Sequence, residues 1–297
     1  MSVLALTDIH RSFEPGVPVL DGVDLEVQAG EVVGLLGRNG AGKTTLIHIA
    51  MGMLRQQQGS VEVFGLDPHR RPVDVKRRVG FVSENQVLPS FLKVYEIIDL
   101  HRTLFPTWDE DMANEFVERH HIRLNVRVKT LSKGQARQVA LLCALCHKPE
   151  LLLLDEPAGG LDALARREFL ESAIQALSDS GTTIVFSSHY LSDVERLAGR
   201  VVMLHDAKVL IDNTIDELHE SFSIALVPHR PQGTSDALLA LPECLGVRAR
   251  TDAVHAVFRL DPDDACALIT DKLGVTDAHC RTAGLEEMFI EIAGGER

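Results

Sequence analysis

Long apolar runs are absent from this chain of 297 residues. The longest, Val139 to Cys146, has about eight residues, whereas a helix that crosses a bilayer needs about 20. Residues Met1 to Arg11 also lack the basic start, apolar middle and small-residue cleavage site of a secretory signal. The sequence therefore predicts a cytoplasmic protein that does not itself span a membrane.

Basic residues are outnumbered by acidic ones. Lys and Arg total 30 against 43 Asp and Glu, which gives a formal net charge of -13. Nonspecific binding to a nucleic-acid backbone depends mainly on cationic side chains, so this balance argues against DNA or RNA as a direct partner. The hydrophobic share of 45% and charged share of 25% are ordinary for a globular protein.

Cysteine is also sparse, with five positions: Cys143, Cys146, Cys244, Cys266 and Cys280. An odd and scattered set of this kind predicts free thiols. Cys143 and Cys146 have the spacing of half a metal site, but no second pair completes it. Together with Val139 and Leu142 they form an apolar stripe at helical spacing, which favours packing over a redox or metal role.

Strand and helix patterns alternate along residues 1 to 220, which predicts an α/β fold with a mainly parallel sheet covered on both faces. Antiparallel strands open the chain, and residues 88 to 148 read as a mostly helical insert. Leu151 to Leu154 has the continuous apolar pattern of a strand buried on both faces. We also expect the strands Ser60 to Phe64 and Val79 to Ser83 to pair with each other.

The remaining residues, 221 to 297, predict a small C-terminal α/β domain. The pattern begins with a strand at Phe222 to Val227 and continues as helix, strand, strand, helix and strand, the last from Val275 to Arg281. This order is that of the split βαβ arrangement, so a ferredoxin-like domain is expected. A final helix, Gly284 to Ile292, closes the chain.

A glycine-rich segment follows the predicted strand Val32 to Leu36. It fits the pattern G-x-x-x-x-G-K-[ST], and its members are Gly37, Arg38, Asn39, Gly40, Ala41, Gly42, Lys43, Thr44 and the adjoining Thr45. Such a loop points several backbone N–H groups at one phosphate, and the following helix adds its positive end. Lys43 is expected to reach the β- and γ-phosphates, and Thr44 to bind Mg²⁺. A chance match is disfavoured because the segment lies between a strand and a helix.

Two carboxylates, Asp155 and Glu156, end the leucine strand. In an open parallel sheet, ligands bind beyond the carboxyl ends of the strands. Asp155 is then placed to hold Mg²⁺, and Glu156 to accept a proton from an attacking water. The alternative is a solvent-facing acidic pair that only terminates the strand.

The pentapeptide Leu131-Ser132-Lys133-Gly134-Gln135 precedes that strand. With the glycine-rich loop, the acidic strand end and His189, it resembles the ATP-binding cassette family over roughly residues 3 to 218. Alone, the pentapeptide would indicate only a helix capped by Ser132. The resemblance implies hydrolysis of ATP with Mg²⁺ in a head-to-tail dimer, with each ATP between one subunit's loop and Ser132, Gly134 and Gln135 of the other.

The resemblance also implies roles for individual residues. Phe13 matches the aromatic residue that stacks on adenine, although core packing is its alternative. His189 matches the histidine that contacts the γ-phosphate, and Asp162 matches a loop that communicates across the dimer. Glu84 stands where the family usually has a Mg²⁺-sensing glutamine, and Gln86 follows two residues later.

The segments around Leu104 to Asp109 and Gly284 to Phe289 look like those of bacterial exporter cassettes. The resemblance therefore implies a homodimer or a cassette heterodimer that binds a separate integral membrane permease at the inner face of the cell membrane. Two alternatives stay open. One is a soluble cassette ATPase outside transport, and the other is a slowly hydrolysing switch, which the carboxylate of Glu84 motivates.

Overall fold

The computed structural model describes residues 2–84, 88–229 and 234–294. They form two compact units, one built from Met1–His189 with Val202–Leu210, the other from Tyr190–Val201 with Ile211–Arg297. Among these described residues, no helix combines the length and the apolar character that crossing a membrane requires.

The first unit opens with a three-stranded antiparallel sheet. Its strands are β1 (Ser2–Glu14), β2 (Val17–Gln28) and β4 (Gln58–Val63), in the order β2-β1-β4. Along β2, the buried side chains of Val23, Leu25 and Val27 alternate with exposed ones, as expected when one face of a sheet covers a core. Gly16 has a positive φ of 78° in the turn between β1 and β2.

A second sheet has six strands in the order β5-β6-β7-β3-β8-β9. They are β3 (Val32–Leu36), β5 (Val79–Ser83), β6 (Leu151–Asp155), β7 (Thr183–Ser187), β8 (Arg200–His205) and β9 (Lys208–Thr214). The pairs β5–β6, β6–β7 and β3–β7 are parallel. Every residue of β6 is buried, which confirms the prediction of a central strand with both faces covered.

The predicted pairing of two strands in the first unit is wrong. Segment Ser60 to Phe64 lies largely in β4, which pairs antiparallel with β1, whereas β5 pairs in parallel with β6. The helix α2 (Pro72–Lys76) intervenes between the two segments. Consecutive strands therefore enter different sheets, because each finds a partner that is distant in sequence.

The helices of the first unit follow the strands of the second sheet. They are α1 (Lys43–Ala50), α3 (Val94–Leu104), α4 (Glu110–Arg119), α5 (Lys133–Leu145) and α6 (Ala163–Ser180). The first turns of α4 and α5 are capped by Asp109 and Ser132, whose side chains accept backbone N–H bonds. Helices α3 to α5 occupy the region expected to be helical.

The second unit contains α7 (Leu191–Leu197), α8 (Ile215–Ser221) and a four-stranded antiparallel sheet. The other elements are β10 (Ser223–Val227), α9 (Thr234–Leu239), β11 (Cys244–Ala249), β12 (Val254–Phe258), α10 (Pro262–Leu273), β13 (His279–Thr282) and α11 (Leu285–Gly294). The strand order β11-β12-β10-β13 is that of a split βαβ arrangement. The domain boundary near residue 220 stays a prediction.

Cysteine pairing differs from the sequence prediction in the second unit. A disulfide joins Cys266 on α10 to Cys280 on β13, with 5.8 Å between their Cα atoms, so the prediction of free thiols is wrong for these two. Helix α10 packs on β13, a tertiary contact that cysteine spacing alone does not reveal. Cys143 and Cys146 are free and buried, and burial raises the pKa of the Cys146 thiol to about 12.

Candidate functional site: a phosphate loop and an acidic strand end

The glycine-rich loop lies between β3 and the first turn of α1. Gly37 has φ of 155°, and a Cβ there would come within 2.7 Å of the Leu204 carbonyl oxygen. Gly42 caps α1 with φ of 102°, and a Cβ there would lie 2.7 Å from a methyl carbon of Leu20. Both positions exclude a side chain, which explains glycine at the two ends of the loop.

Lys43 is buried at the start of α1. Its Nζ donates hydrogen bonds to the carbonyl oxygens of Gly37, at 2.8 Å, and Arg38, at 3.3 Å. The same Nζ lies 3.5 Å from Oε1 of Glu156. One ammonium group therefore faces both the phosphate loop and the acidic end of β6.

Thr44 and Asp155 come together across the site. The Thr44 hydroxyl donates a hydrogen bond of 3.0 Å to Oδ1 of Asp155, and the Ser187 hydroxyl donates to the same oxygen at 2.9 Å. The backbone N–H of Glu156 in turn donates to Ser187 Oγ at 2.7 Å. Ser187 thus fixes the end of β6 to the end of β7, a role that the sequence analysis missed although this serine lies two residues before His189.

Glu156 occupies an unusual backbone conformation, with φ of 44°. A positive φ is uncommon for residues other than glycine, and such strain concentrates at functional sites. Its Oε2 lies 2.7 Å from Nδ1 of His189. Its Oε1 is buried and has no hydrogen-bond partner within the described residues, although Lys43 is close. The carboxylate can therefore accept a further proton or hydrogen bond.

The oxygen donors at this site fit a hard divalent cation. Thr44 and Asp155 present a hydroxyl and a carboxylate that already share one hydrogen bond, and oxygen ligands of this type suit Mg²⁺. Glu84 follows β5, and a Cβ at Gly159 would lie 3.2 Å from its Oε1. Gln86, the neighbouring candidate for this role, lies outside the described residues. Among those residues, no cluster of three His, Cys, Asp or Glu forms an all-protein metal cage.

An open cleft of about 340 Å³ lies beside the phosphate loop. It is lined by Phe13, Val19, Asn39, Gly40, Ala41, Gly42, Lys43, Thr44, Thr45, Glu84 and Glu156. Phe13 is 59% exposed, so it does not pack in the core, and the Arg11 guanidinium carbon lies 4.9 Å from its ring centroid. Arg38 lines an adjoining cavity together with Asn39, Gly40 and Ala41.

Ser132, Gly134 and Gln135 lie elsewhere on the first unit. The Ser132 hydroxyl oxygen accepts the Gln135 backbone N–H at 3.2 Å, and Gln135 Oε1 accepts the Ser132 N–H at 3.0 Å. This reciprocal capping box confirms that Ser132 is a helix N-cap. The three residues line a different cavity of about 580 Å³.

Two further residues surround the acidic strand end. The Asp162 side chain accepts the Ala165 backbone N–H at 2.9 Å, at the first turn of α6. Arg137, on α5, donates from its guanidinium to the backbone carbonyls of Glu84, Glu156, Pro157 and Gly159. No sequence motif marks Arg137, because its partners are backbone atoms of distant segments.

This arrangement of a strand, glycine loop, helix and neighbouring acidic strand defines a P-loop nucleotide-binding site. A family model described as ABC transporter matches residues 20–159. The ABC transporter ATP-binding protein NatA of Bacillus subtilis is 35% identical over 233 residues, covering 74% of this chain and 92% of that protein. The daunorubicin resistance ATP-binding protein DrrA3 of Streptomyces coeruleorubidus is 31% identical, covering 94% of this chain and 92% of its own.

Solved structures agree in fold. A structure described as the ATP binding subunit of an ABC transporter has a TM-score of 0.66 and 28% identity, covering 73% of this chain and 92% of its own. The ATP-binding cassette MJ0796, described as a dimer in a post-hydrolysis state with ADP and Pi, has a TM-score of 0.64 and 22% identity, covering 71% and 98%. The chain therefore belongs to the ABC transporter ATP-binding proteins, a family of ATPase cassettes.

Proposed function

We propose that this chain hydrolyses ATP as the nucleotide-binding subunit of an ABC exporter and drives a separate membrane permease. The observation that carries the enzymatic part is the contact of Glu156 with both His189 and Lys43, at 2.7 and 3.5 Å, beside the phosphate loop. A carboxylate, an imidazole and an ammonium group then converge where the γ-phosphate of a loop-bound nucleotide would end.

Nucleotide binding is assigned to the open cleft. The backbone N–H groups from Gly37 to Thr45 hold the phosphates, aided by the positive end of α1. Lys43 exchanges its carbonyl contacts for the β- and γ-phosphate oxygens, to which its charge is better matched. Phe13 offers an exposed ring for stacking on adenine. Arg38, Asn39, Gly40 and Ala41 form the tip of the loop.

Hydrolysis is assigned to Glu156 as general base, with His189 as its orienting partner. Glu156 accepts a proton from water, the water oxygen bonds to the γ-phosphorus, and the bond from that phosphorus to the β–γ bridging oxygen breaks. ADP and phosphate result. Thr44, Asp155 and Glu84 would hold Mg²⁺, which neutralises charge on the phosphate oxygens.

A dimer is proposed because Ser132, Gly134 and Gln135 line a cavity separate from the phosphate-loop cleft. A serine hydroxyl and backbone N–H groups at a helix start suit a phosphate. A second subunit, either identical or a related cassette, would bring these groups to the nucleotide, with Asp162 at the same face. The related fold of MJ0796, described as dimeric with ADP and Pi, supports this arrangement.

Export is the proposed direction because DrrA3, a relative along 94% of this chain, is named for daunorubicin resistance. A permease is proposed because relatives of this chain are named as ATP-binding proteins of ABC transporters, and transport needs a protein that spans the membrane. Through that permease the chain would lie at the inner face of the cell membrane.

The substitution Glu156→Gln tests the enzymatic proposal. Removing a general base is expected to lower phosphate release at least about 100-fold, while ATP binding is retained because the phosphate loop is unchanged. Size-exclusion chromatography with ATP and Mg²⁺ is expected to show a dimer of the variant. Normal turnover of Glu156→Gln would reject the assigned base, and a monomer at saturating ATP would reject the dimer.

A slowly hydrolysing switch is the second candidate, because Glu84 places a carboxylate in the nucleotide cleft. A negative charge there opposes the phosphate charge and adds to the cost of binding and turnover. In this candidate the fold and the nucleotide site are the same, but ATP binding rather than ATP hydrolysis changes the state of the protein.

A further inference from the structure

Arg137 gathers backbone carbonyls from separate segments of the first unit. It lies in the second turn of α5, and its half-buried guanidinium donates to the Glu156 carbonyl at 3.3 Å and the Gly159 carbonyl at 3.4 Å. Two shorter hydrogen bonds reach the carbonyls of Pro157 and Glu84. One side chain therefore touches the segment after β6 and the segment after β5.

The chemistry of the contact suits arginine in particular. A guanidinium carries five N–H donors in a rigid planar fork, so it can serve several carbonyl oxygens that lie in different directions. A lysine ammonium is a compact point donor on a flexible stem and cannot span the same set. Burial lowers the pKa of the Arg137 guanidinium and the charge of Glu84 opposes this, and an arginine stays protonated at neutral pH in either case.

The partners of Arg137 are the segments that bear the proposed chemistry. Glu156 carries the general base, Glu84 is a proposed metal ligand, and Gly159 opens the loop that ends at Asp162. Glu156 also has a φ of 44°, a conformation that persists only when surrounding contacts hold it. The bonds from Arg137 to the carbonyls of Glu156 and Pro157 are contacts of that kind.

Helix α5 links these segments to a second feature, because it begins immediately after Ser132. A movement of α5 would displace Arg137, and Arg137 would displace the carbonyls that it binds. Contact of a nucleotide with the start of α5 would in this way be transmitted to the base and to the metal-binding segment. The path runs through one side chain and its four hydrogen bonds to backbone carbonyls.

We propose that Arg137 is a positioning residue for ATP hydrolysis, which aligns Glu156 and Glu84 with the helix that begins at Ser132. This inference rests on the proposed ATPase function. Arg137 does not touch the reacting atoms, so its loss affects the rate through the geometry of the base and of the metal site. Misplacement of a reacting group by about 1 Å can lower a rate about 100-fold.

The test compares Arg137→Met, Arg137→Lys and Arg71→Met with the unchanged protein in a phosphate-release assay. Arg71 is the matched control, because its guanidinium is also hydrogen-bonded, to Asp74 at 2.6 Å, but it lies on the surface before α2. We expect Arg137→Met to lower kcat at least about 30-fold with less than about a threefold change in the Kd for ATP, given the geometric sensitivity of such sites. The kcat of Arg137→Lys is expected to lie between that of Arg137→Met and that of the unchanged protein. The kcat of Arg71→Met is expected to match that of the unchanged protein.

A second readout separates positioning from general loss of structure. The Mg²⁺ concentration that gives half the maximal rate is expected to rise in Arg137→Met and Arg137→Lys, because the carbonyl of Glu84 loses its donor. The melting temperature without nucleotide identifies a variant that fails to fold. If Arg137→Met fails to fold, the kcat and Mg²⁺ dependence of Arg137→Lys test the positioning role instead. Unchanged kcat and Mg²⁺ dependence in Arg137→Lys, or an equal loss of ATP binding and turnover, would overturn the proposal.

Failure of this inference differs from failure of the proposed function. If the unchanged protein releases phosphate and Glu156→Gln does not, the ATPase assignment stands, and normal turnover in the Arg137 variants overturns the positioning role alone. If neither the unchanged protein nor the Arg137 variants release phosphate, both proposals are overturned.

Discussion

At the scale of single residues, the side chain of Glu84 is the clearest departure from a typical nucleotide site. It lines the cleft with Lys43, Thr44 and Glu156, and it packs beside Gly159. The cleft is therefore lined by two carboxylates, those of Glu84 and Glu156, while a third, Asp155, is hydrogen-bonded to Thr44 of the cleft. Among the described residues, Lys43 is within ion-pair distance of only one of these carboxylates, that of Glu156.

The substitution Glu84→Gln tests whether this charge damps turnover. We expect kcat to rise by up to about tenfold, which corresponds to about 1.4 kcal/mol in the barrier, because an amide can still bind Mg²⁺ through its oxygen without adding charge. Glu62→Gln, at an exposed position of β4, is the control for a change in net charge. A rate that falls with Glu84→Gln would show that the carboxylate is needed, and would remove the argument for a slow switch.

At the scale of elements, α4 depends on the cap supplied by Asp109. Its side chain accepts the Met112 N–H at 2.9 Å and pairs with Lys148 Nζ at 2.7 Å. Lys148, followed by the Met112 N–H, lowers the pKa of the Asp109 carboxyl below its ordinary value of 3.8. Because the folded-state pKa is depressed, this stabilisation is complete above pH 3.8 and is lost as the pH falls through the folded-state value.

Substitutions at Asp109 separate the cap from the ion pair. At pH 7, Asp109→Ala is expected to reduce the free energy of unfolding by about 1 kcal/mol, the usual cost of losing a cap. Asp109→Asn keeps a good capping side chain and is expected to cost only a few tenths, since exposed ion pairs contribute little. Urea unfolding measures both. The difference between Asp109→Asn and the unchanged protein should shrink as the pH falls below 3.8, and a difference that grows in acid would contradict the assigned sign.

The elements also show which features a sequence can predict. Strands β3, β5 and β6 and the loop from Gly37 to Thr44 were predicted because each depends on a continuous local pattern. The pairing of β4 with β1 was not, because strand pairing joins residues far apart in sequence. The same limit applies to the Cys266–Cys280 disulfide, to Ser187 and to Arg137, whose partners become neighbours only after α5, β6 and β7 have packed.

At the scale of the whole molecule, the described residues offer a nucleotide site and no membrane-crossing helix. In the proposed function, ATP hydrolysis has an external consequence only if a partner responds to it. The overall formal charge of -13 argues against a nucleic-acid backbone as that partner. A permease and a second cassette are the partners that the proposed function requires.

A pull-down from detergent-solubilised native membranes tests this requirement. Tagged Glu156→Gln protein with ATP is expected to recover, in stoichiometric amount, a protein with several transmembrane helices, because blocked hydrolysis prolongs the ATP-bound state. Lys43→Ala, which removes the cation facing the phosphates, is the matched control and is expected to recover less. Recovery of soluble proteins or nucleic acid alone would favour a cassette ATPase outside transport.

The capping box at Ser132 has a further consequence for the orientation of a proton. Its hydroxyl oxygen already accepts the Gln135 N–H at 3.2 Å, so that hydrogen bond occupies one of its lone pairs. The hydroxyl hydrogen is not consumed by this contact and can be donated outward. Folding of α5 therefore fixes the position of the Ser132 hydroxyl oxygen beforehand. In the proposed dimer, a phosphate oxygen would meet a donor whose side-chain rotamer is already set.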